Sequence, residues 1–171
     1  LKNGWLNENC HLPARIPEEH SETAYSTNRA IEFMAQAGDV PWCLHLSYIK
    51  PHWPIVAPAP YHNMYNIGDV IPPVRSEAER QEAHPVHAVN TDARHSTAYN
   101  PDDHRAQMIA TYMGLITQID DQIGRLMAWM EEFGKLDDTL IVFTSDHGDY
   151  LGDHWLGEKL FFHDASVKVP L

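Results

Sequence analysis

An aspartate and a histidine stand side by side at Asp146-His147, followed by Gly148, and Lys159 lies thirteen residues on (159 − 146) as the only lysine or arginine between Asp146 and Lys168. A carboxylate oxygen and an imidazole nitrogen are both ligands for a divalent cation. Neighbouring residues on a strand point to opposite faces, so the two reach one ion only where the strand has ended, a turn that Gly148 is read as permitting. The plainer alternative is an aspartate cap beside a core histidine. His52 is a further candidate, in the proline-bracketed turn Pro51-His52-Trp53-Pro54. By itself it is a turn histidine, as Lys159 by itself is a surface lysine.

These residues need elements that end beside them. Leu140 to Thr144 are all apolar or β-branched, a short unbroken run of the kind that forms a strand buried on both faces of a parallel sheet. Asp146 then lies just past a strand's carboxyl end, where ligands bind in open α/β sheets. Upstream, Pro41 to Tyr48 alternates, with Trp42, Leu44, Leu46 and Tyr48 on one face, and reads as a second strand ending before His52. Residues 21–37 read as a helix with Ser21 as cap, Ile31, Phe33 and Met34 as apolar contacts and Gly38 as stop. Asn100-Pro101-Asp102-Asp103 reads as a strong helix start, with Asn100 as cap. The helix it opens carries Ile109, Tyr112, Met113, Ile116, Ile119, Ile123, Leu126, Met127 and Met130 at steps of three and four, read as its buried stripe, and closes at Gly134. A bend is expected near Gly114 or Gly124. Asp120-Asp121 is read as part of its polar face, since helix neighbours point about 100° apart. Strand, loop, helix, strand is the α/β crossover pattern.

Residues 1–20 are irregular and polar, and residues 66–100 read as a long irregular loop or lid. Its histidines, His84, His87 and His95, are read as solvent-exposed. A histidine-rich metal-buffering module would instead use them together with His104. Cys10 and Cys43 are the only cysteines and give neither a disulfide framework nor a C-x-x-C metal pair; Cys43 reads as a small buried hydrophobe.

The 171 residues suit one domain or a large piece of one, and no run of eighteen apolar residues offers a membrane span. A net charge of −12 argues against nucleic acid and anionic membranes. An anionic substrate would therefore be held by local positive charge, a metal ion or Lys159. Leu1-Lys2-Asn3-Gly4-Trp5 is not a signal peptide, and Ser166 to Leu171 reads as the entry to another strand, so both ends are expected to be cuts in a longer chain. The protein is expected to be soluble, in cytoplasm or periplasm.

The run Thr144-Ser145-Asp146-His147-Gly148, then Leu151-Gly152-Asp153-His154, then Gly157 and Lys159, then Asp164 before Ala165-Ser166-Val167-Lys168-Val169-Pro170-Leu171, resembles the signature of the sulfatase family of the alkaline phosphatase superfamily. Within it the pattern is most similar to phosphonate monoester hydrolases and arylsulfatase-like enzymes. Ile16 to His20, Asn28 to Phe33, Pro51 to Pro54 and Pro60-Tyr61-His62 extend the likeness in the same order, leaving out about residues 66–100.

The resemblance implies an alkaline-phosphatase-like three-layer α/β/α sandwich with a mostly parallel sheet, of which residues 1–171 form a single partial catalytic domain. It implies that Asp146 and His147 are metal ligands, joined by two acidic ligands from an N-terminal part. His52 and Lys159 match positions that touch the sulfuryl or phosphoryl oxygens or the leaving group. Asp153 and His154 match turn-stabilising or supporting positions, and Asp164 a structural one. The implied cofactors are one divalent ion, with Mn²⁺ favoured over Zn²⁺, Fe²⁺, Mg²⁺ or Ca²⁺, and a formylglycine nucleophile. The nitrogen ligand argues against Ca²⁺. Cys10 is not that nucleophile: the family motif is Cys or Ser-x-Pro-x-Arg, and Pro13 comes one position late. The expected activity is metal-dependent hydrolysis of sulfate, phosphodiester or phosphonate monoesters, on a small anionic ester, by a chain compatible with a homo-oligomer. The alternative is a non-catalytic relative that binds or supports.

Overall fold

The computed structural model describes residues 9–171. The element order is a 3₁₀ turn at Glu18–His20, α1 (Glu22–Ala37), 3₁₀ turns at Tyr61–Asn63 and Ile67–Asp69, α2 (Glu77–Gln81), α3 (Pro85–Thr91), α4 (Arg94–Thr97), α5 (Asp102–Glu132), a 3₁₀ turn at Asp153–Trp155 and α6 (Asp164–Val167). The chain divides into two compact units. One holds Asn9, Asn66–Ala110 and Ile141–Leu171; the other holds Cys10–Tyr65 and Thr111–Leu140. Leu1 to Trp5 lie outside the described residues; from Asn9 to Pro17 the chain is turns and bends, as expected.

In the second unit, α1 begins where Ser21 Oγ accepts the Ala24 N–H at 3.2 Å, and ends where Gly38 takes φ 59°. Its buried positions, Thr23, Ala24, Thr27, Ala30 and Met34, follow helical spacing. Phe33 is exposed and meets Trp42 edge-on instead of entering the core. From Pro41 to Tyr48 burial alternates with period two, and Trp42, Leu44, Leu46 and Tyr48 are the better-covered set. The Tyr48 hydroxyl bonds Thr27 Oγ1 at 2.8 Å. Cys43 falls on the uncovered phase and is exposed, correcting its reading as a buried hydrophobe.

The part of α5 in this unit follows the apolar stripe only at Met130 among its buried residues. Thr111, Leu115, Gln118 and Gln122 are buried, while Met113 and Ile116 are exposed. Polar groups occupy the interior because partners wait there. Thr111 Oγ1 donates to the Cys10 carbonyl at 3.0 Å, Gln118 Nε2 to Ser21 Oγ at 2.9 Å and Gln122 Nε2 to Glu18 Oε1 at 2.7 Å. The helix runs unbroken from Asp102 to Glu132. Gly114 serves close approach: a Cβ there would sit 2.0 Å from the Tyr61 carbonyl oxygen, whereas at Gly124 it would meet nothing within 4 Å. Gly114→Ala is therefore expected to lower stability by roughly 2–4 kcal/mol, since backbone must move to admit the methyl. Gly124→Ala is expected to raise it by about 0.5–1 kcal/mol. Urea unfolding of the two variants checks the pair; equal midpoints would refute the close approach.

In the first unit, residues 66–100 are not one irregular loop, since α2, α3 and α4 lie within them. Ser76 and His84 cap α2 and α3 by accepting the Glu79 and Val86 N–H groups. Arg75 fastens the segment by donating to the carbonyls of Tyr99 and Asn100 and to Asp102. His87 and His95 are half-buried, not solvent-exposed. Asn100 is not the α5 cap. Its Oδ1 is buried without a hydrogen-bond partner, and the first helical bond runs from Arg105 N to the Pro101 carbonyl. Arg105 is buried and donates Nε to the Leu151 carbonyl at 2.8 Å and NH1 to the Ile71 carbonyl at 2.9 Å. It pins a stretch in which Leu151, Gly152, His154, Trp155 and Glu158 all have positive φ.

Leu140 to Thr144 do not form a buried strand. No β-ladder is present among the described residues, and Leu140, Ile141, Val142 and Phe143 are 90, 47, 66 and 58% exposed. The expected parallel sheet is likewise not formed within these residues. A strand exists only through hydrogen bonds to a neighbour, and this run has none within the described chain.

Candidate functional site

Asp146 and His147 follow that apolar run directly, and the structure brings their ligating atoms together. Asp146 Oδ2 lies 3.7 Å from His147 Nε2. A tetrahedral ion about 2.1 Å from each ligand separates its ligands by roughly 3.4 Å. His147 Nδ1 lies 2.6 Å from the Gly148 carbonyl oxygen. A carbonyl only accepts, so Nδ1 carries the proton and the ligating lone pair is on Nε2, the atom facing Asp146. Ser145 Oγ donates to the His147 carbonyl at 2.7 Å and steadies the turn. Asp146 is 88% exposed at its side chain and His147 24%, so the carboxylate is open and the imidazole is held. An oxygen donor and an oriented nitrogen donor fit two positions of a divalent cation's ligand shell.

Gly148 does its work by closeness, not by the turn assigned to it. Its φ is not positive; its N–H donates to the Ser166 carbonyl at 2.7 Å, and a Cβ would stand 2.0 Å from the Ala165 carbonyl oxygen. This contact ties the Asp146-His147 turn to α6. Lys159 lies in the same unit, half-buried, and its carbonyl accepts from Ser166 Oγ at 2.9 Å. Asp164 pairs with Lys168 at 2.7 Å on the surface of α6.

His52 belongs to the other unit. Its turn is held from inside by Lys50, whose Nζ donates to the carbonyls of His52 at 3.2 Å and Pro54 at 2.7 Å. Burial lowers the Lys50 pKa, opposed by Glu22. His52 Nδ1 donates to the Trp53 carbonyl at 3.0 Å. Lys50 was not singled out from sequence; its place directly before the first proline was the available signal. Cys10 is fully buried, and burial pushes its thiol up to about 11, so it carries no thiolate at neutral pH. That agrees with its exclusion as nucleophile.

A second constellation escaped sequence reasoning. Glu79, His154 and His163, all half-buried, offer ligand atoms within 4.8 Å of one another. His154 Nδ1 lies 2.6 Å from Glu79 Oε1, and the His154 and His163 rings stack at 4.1 Å. Burial, then the neighbouring His154 and His87, lower the His163 pKa. Asp153 does support the turn, accepting the Val74 N–H at 2.9 Å. The histidine-rich buffering alternative is not borne out: among the described residues, no metal-capable cluster includes His84, His87, His95 or His104.

No helix among the described residues is long and apolar enough to cross a membrane. The Sulfatase family model matches residues 2–171. The chain is similar to the multifunctional alkaline phosphatase superfamily protein PehA of Trinickia caryophylli, at 42% identity over 98% of this chain and 36% of that protein. It is 31% identical to an arylsulfatase of Clostridium perfringens, over 98% of this chain and 34% of the other. Among solved structures, the phosphonate monoester hydrolase of Silicibacter pomeroyi matches 94% of this chain and 34% of its own at a TM-score of 0.86 and 35% identity. The chain thus spans about a third of the length of the curated relatives it matches, 36% and 34% of these two. A family match over nearly every residue, 42% identity to PehA over 98% of the chain, and a backbone shared with a solved phosphonate monoester hydrolase lead to one conclusion: the chain belongs to the sulfatase family of the alkaline phosphatase superfamily.

Proposed function

We propose that the protein containing this chain is a metal-dependent hydrolase of sulfate, phosphodiester or phosphonate monoesters. The observation that carries this reading is the Asp146–His147 pair, 3.7 Å apart between ligating atoms, with the imidazole tautomer set by Gly148. Asp146 Oδ2 and His147 Nε2 would hold the ion, with the remaining ligands from outside these residues or from water. A divalent ion there, Mn²⁺ by preference, supplies positive charge against the ester's non-bridging oxygens. Transfer of a sulfuryl or phosphoryl group spreads negative charge over those oxygens, and preorganised positive charge is the larger part of catalysis. The Lys159 ammonium adds a point charge to that task. His52 keeps its Nδ1–H on the Trp53 carbonyl, so Nε2 is the ring atom left for the leaving oxygen, and it would have a proton to give only in the imidazolium form. The nucleophile is proposed to be a formylglycine, and no Cys or Ser-x-Pro-x-Arg motif occurs in the chain. In the whole protein, Leu140–Thr144 and Pro41–Tyr48 are each proposed to be a strand of an α/β/α sandwich, which would cover their exposed apolar residues.

The experiment is an assay of the whole protein on 4-nitrophenyl sulfate, bis(4-nitrophenyl) phosphate and a phenylphosphonate monoester, before and after chelation. Turnover of at least one ester is expected, lost with chelator and restored by Mn²⁺. A metal-replete, folded protein that turns over none of them would be the non-catalytic relative instead.

A further inference from the structure

The Glu79–His154–His163 cluster lies outside the residues to which the resemblance assigns catalysis. Its members come from three places: Glu79 from α2, His154 from the Asp153–Trp155 turn, and His163 from the residue before α6. Their separation in sequence, 75 residues between Glu79 and His154 (154 − 79), means that only the fold gathers them.

We propose that this cluster is a second cation site, for a late first-row divalent ion such as Zn²⁺. The donor set is two imidazole nitrogens and one carboxylate oxygen, which suits Zn²⁺ better than Mg²⁺ or Ca²⁺. Ligand atoms within 4.8 Å of one another need only a small closure to reach the roughly 3.4 Å spacing of a tetrahedral ion. His163 is already oriented. Its Nδ1 lies 2.8 Å from the Tyr150 hydroxyl, and Tyr150 is itself buried. With Nδ1–H donating to that oxygen, the Nε2 lone pair is the ligating one, the arrangement that usually supports a metal-bound histidine. The Tyr150 oxygen also receives the His163 backbone N–H at 3.4 Å, so it is placed to accept.

Two further features fit. His154 has φ 55° and ψ 24°, between Gly152 at φ 96° and Trp155 at φ 61°, a backbone that must be held by its surroundings. A cavity of about 520 Å³ opens beside the cluster, lined by Val74, Asp153, His154, Phe162 and His163 among others. It gives an ion a way in and room for a water as fourth ligand, completing three protein ligands and one open position. The bound ion would fasten α2 to the Tyr150–His163 segment, a cross-link between parts distant in sequence. Without an ion, the short Glu79–His154 contact is a hydrogen bond that does the same more weakly. The inference stands apart from the hydrolase reading, since neither Asp146 nor His147 takes part.

The test uses the whole protein carrying Asp146→Ala and His147→Ala together, so that the proposed hydrolytic centre is silent, stripped by chelator and titrated with Zn²⁺ by calorimetry. One Zn²⁺ per chain is expected. Adding Glu79→Gln or His163→Gln should weaken it by at least about 100-fold, and Tyr150→Phe by roughly 10–100-fold. The Tyr150 variant keeps all three ligands, so its loss marks a metal-bound imidazole and not a simple hydrogen-bonded cluster. Absence of Zn²⁺ binding, or binding indifferent to Glu79→Gln and His163→Gln, overturns the proposal. Should the double variant misfold, the same question is put to wild-type crystals by anomalous scattering at the zinc edge. A peak about 2.1 Å from the ligating atoms supports the site, and none there overturns it.

Discussion

Asp146→Ala and His147→Ala, each in the whole protein, are expected to lose bound metal and turnover together. The loss should exceed the roughly 10–100-fold that disturbing a group behind the ligands costs, because each change removes a ligand outright. His147 is the more constrained of the two: its Nδ1 proton is committed to Gly148, so Nε2 is aimed and no rotation is needed on binding. Asp146 is open to solvent and unburdened by packing, so its removal should leave folding unchanged. Metal analysis and a chelator-controlled assay check both variants, with thermal unfolding as the folding control. Full metal occupancy in both would sink the assignment.

Lys159→Ala is expected to separate charge from metal. Occupancy should be unchanged, since an ammonium has no lone pair to offer. Turnover should fall by roughly 10²–10³, the usual effect of removing one donor to a developing oxyanion. Alanine keeps the carbonyl that accepts from Ser166 Oγ at 2.9 Å, and thermal unfolding of the variant checks that the fold is retained. Activity within about twofold of wild type would reduce Lys159 to a surface residue.

Local signals in the chain were legible in proportion to how local their physics is. Ser21 capping α1 and Gly38 and Gly134 ending helices are decisions of a few neighbouring residues, and all three appear as read. The alternation from Trp42 to Tyr48 was equally readable, since period two is set by the backbone. Which face a long helix buries is not local. α5 has an apolar stripe and a polar one, and it is Gln118 and Gln122 that are buried, because Ser21 and Glu18 receive their amides. Periodicity reports a stripe and says nothing of what lies opposite it. Asn100 failed as a cap because the chain starts the helix one residue later, at the Pro101 carbonyl.

The candidate site divides in the same way. Asp146-His147 was visible because the two are adjacent and flanked by a recognisable pattern. Glu79, His154 and His163 were not, since no spacing rule joins a short helix to a turn 75 residues away (154 − 79). The Leu140–Thr144 run reads as a buried strand by composition, yet burial needs neighbouring strands, and no ladder forms among the described residues to cover it. Gly148 was noticed for the right position and the wrong reason, close approach to Ala165 being invisible without a fold.

The most direct measurement of the central claim is anomalous diffraction from crystals of the whole, active protein, collected on both sides of the absorption edge of its bound metal. A peak roughly 2.0–2.2 Å from Asp146 Oδ2 and from His147 Nε2 is expected. An active, metal-replete protein with no anomalous peak between these two residues would contradict it.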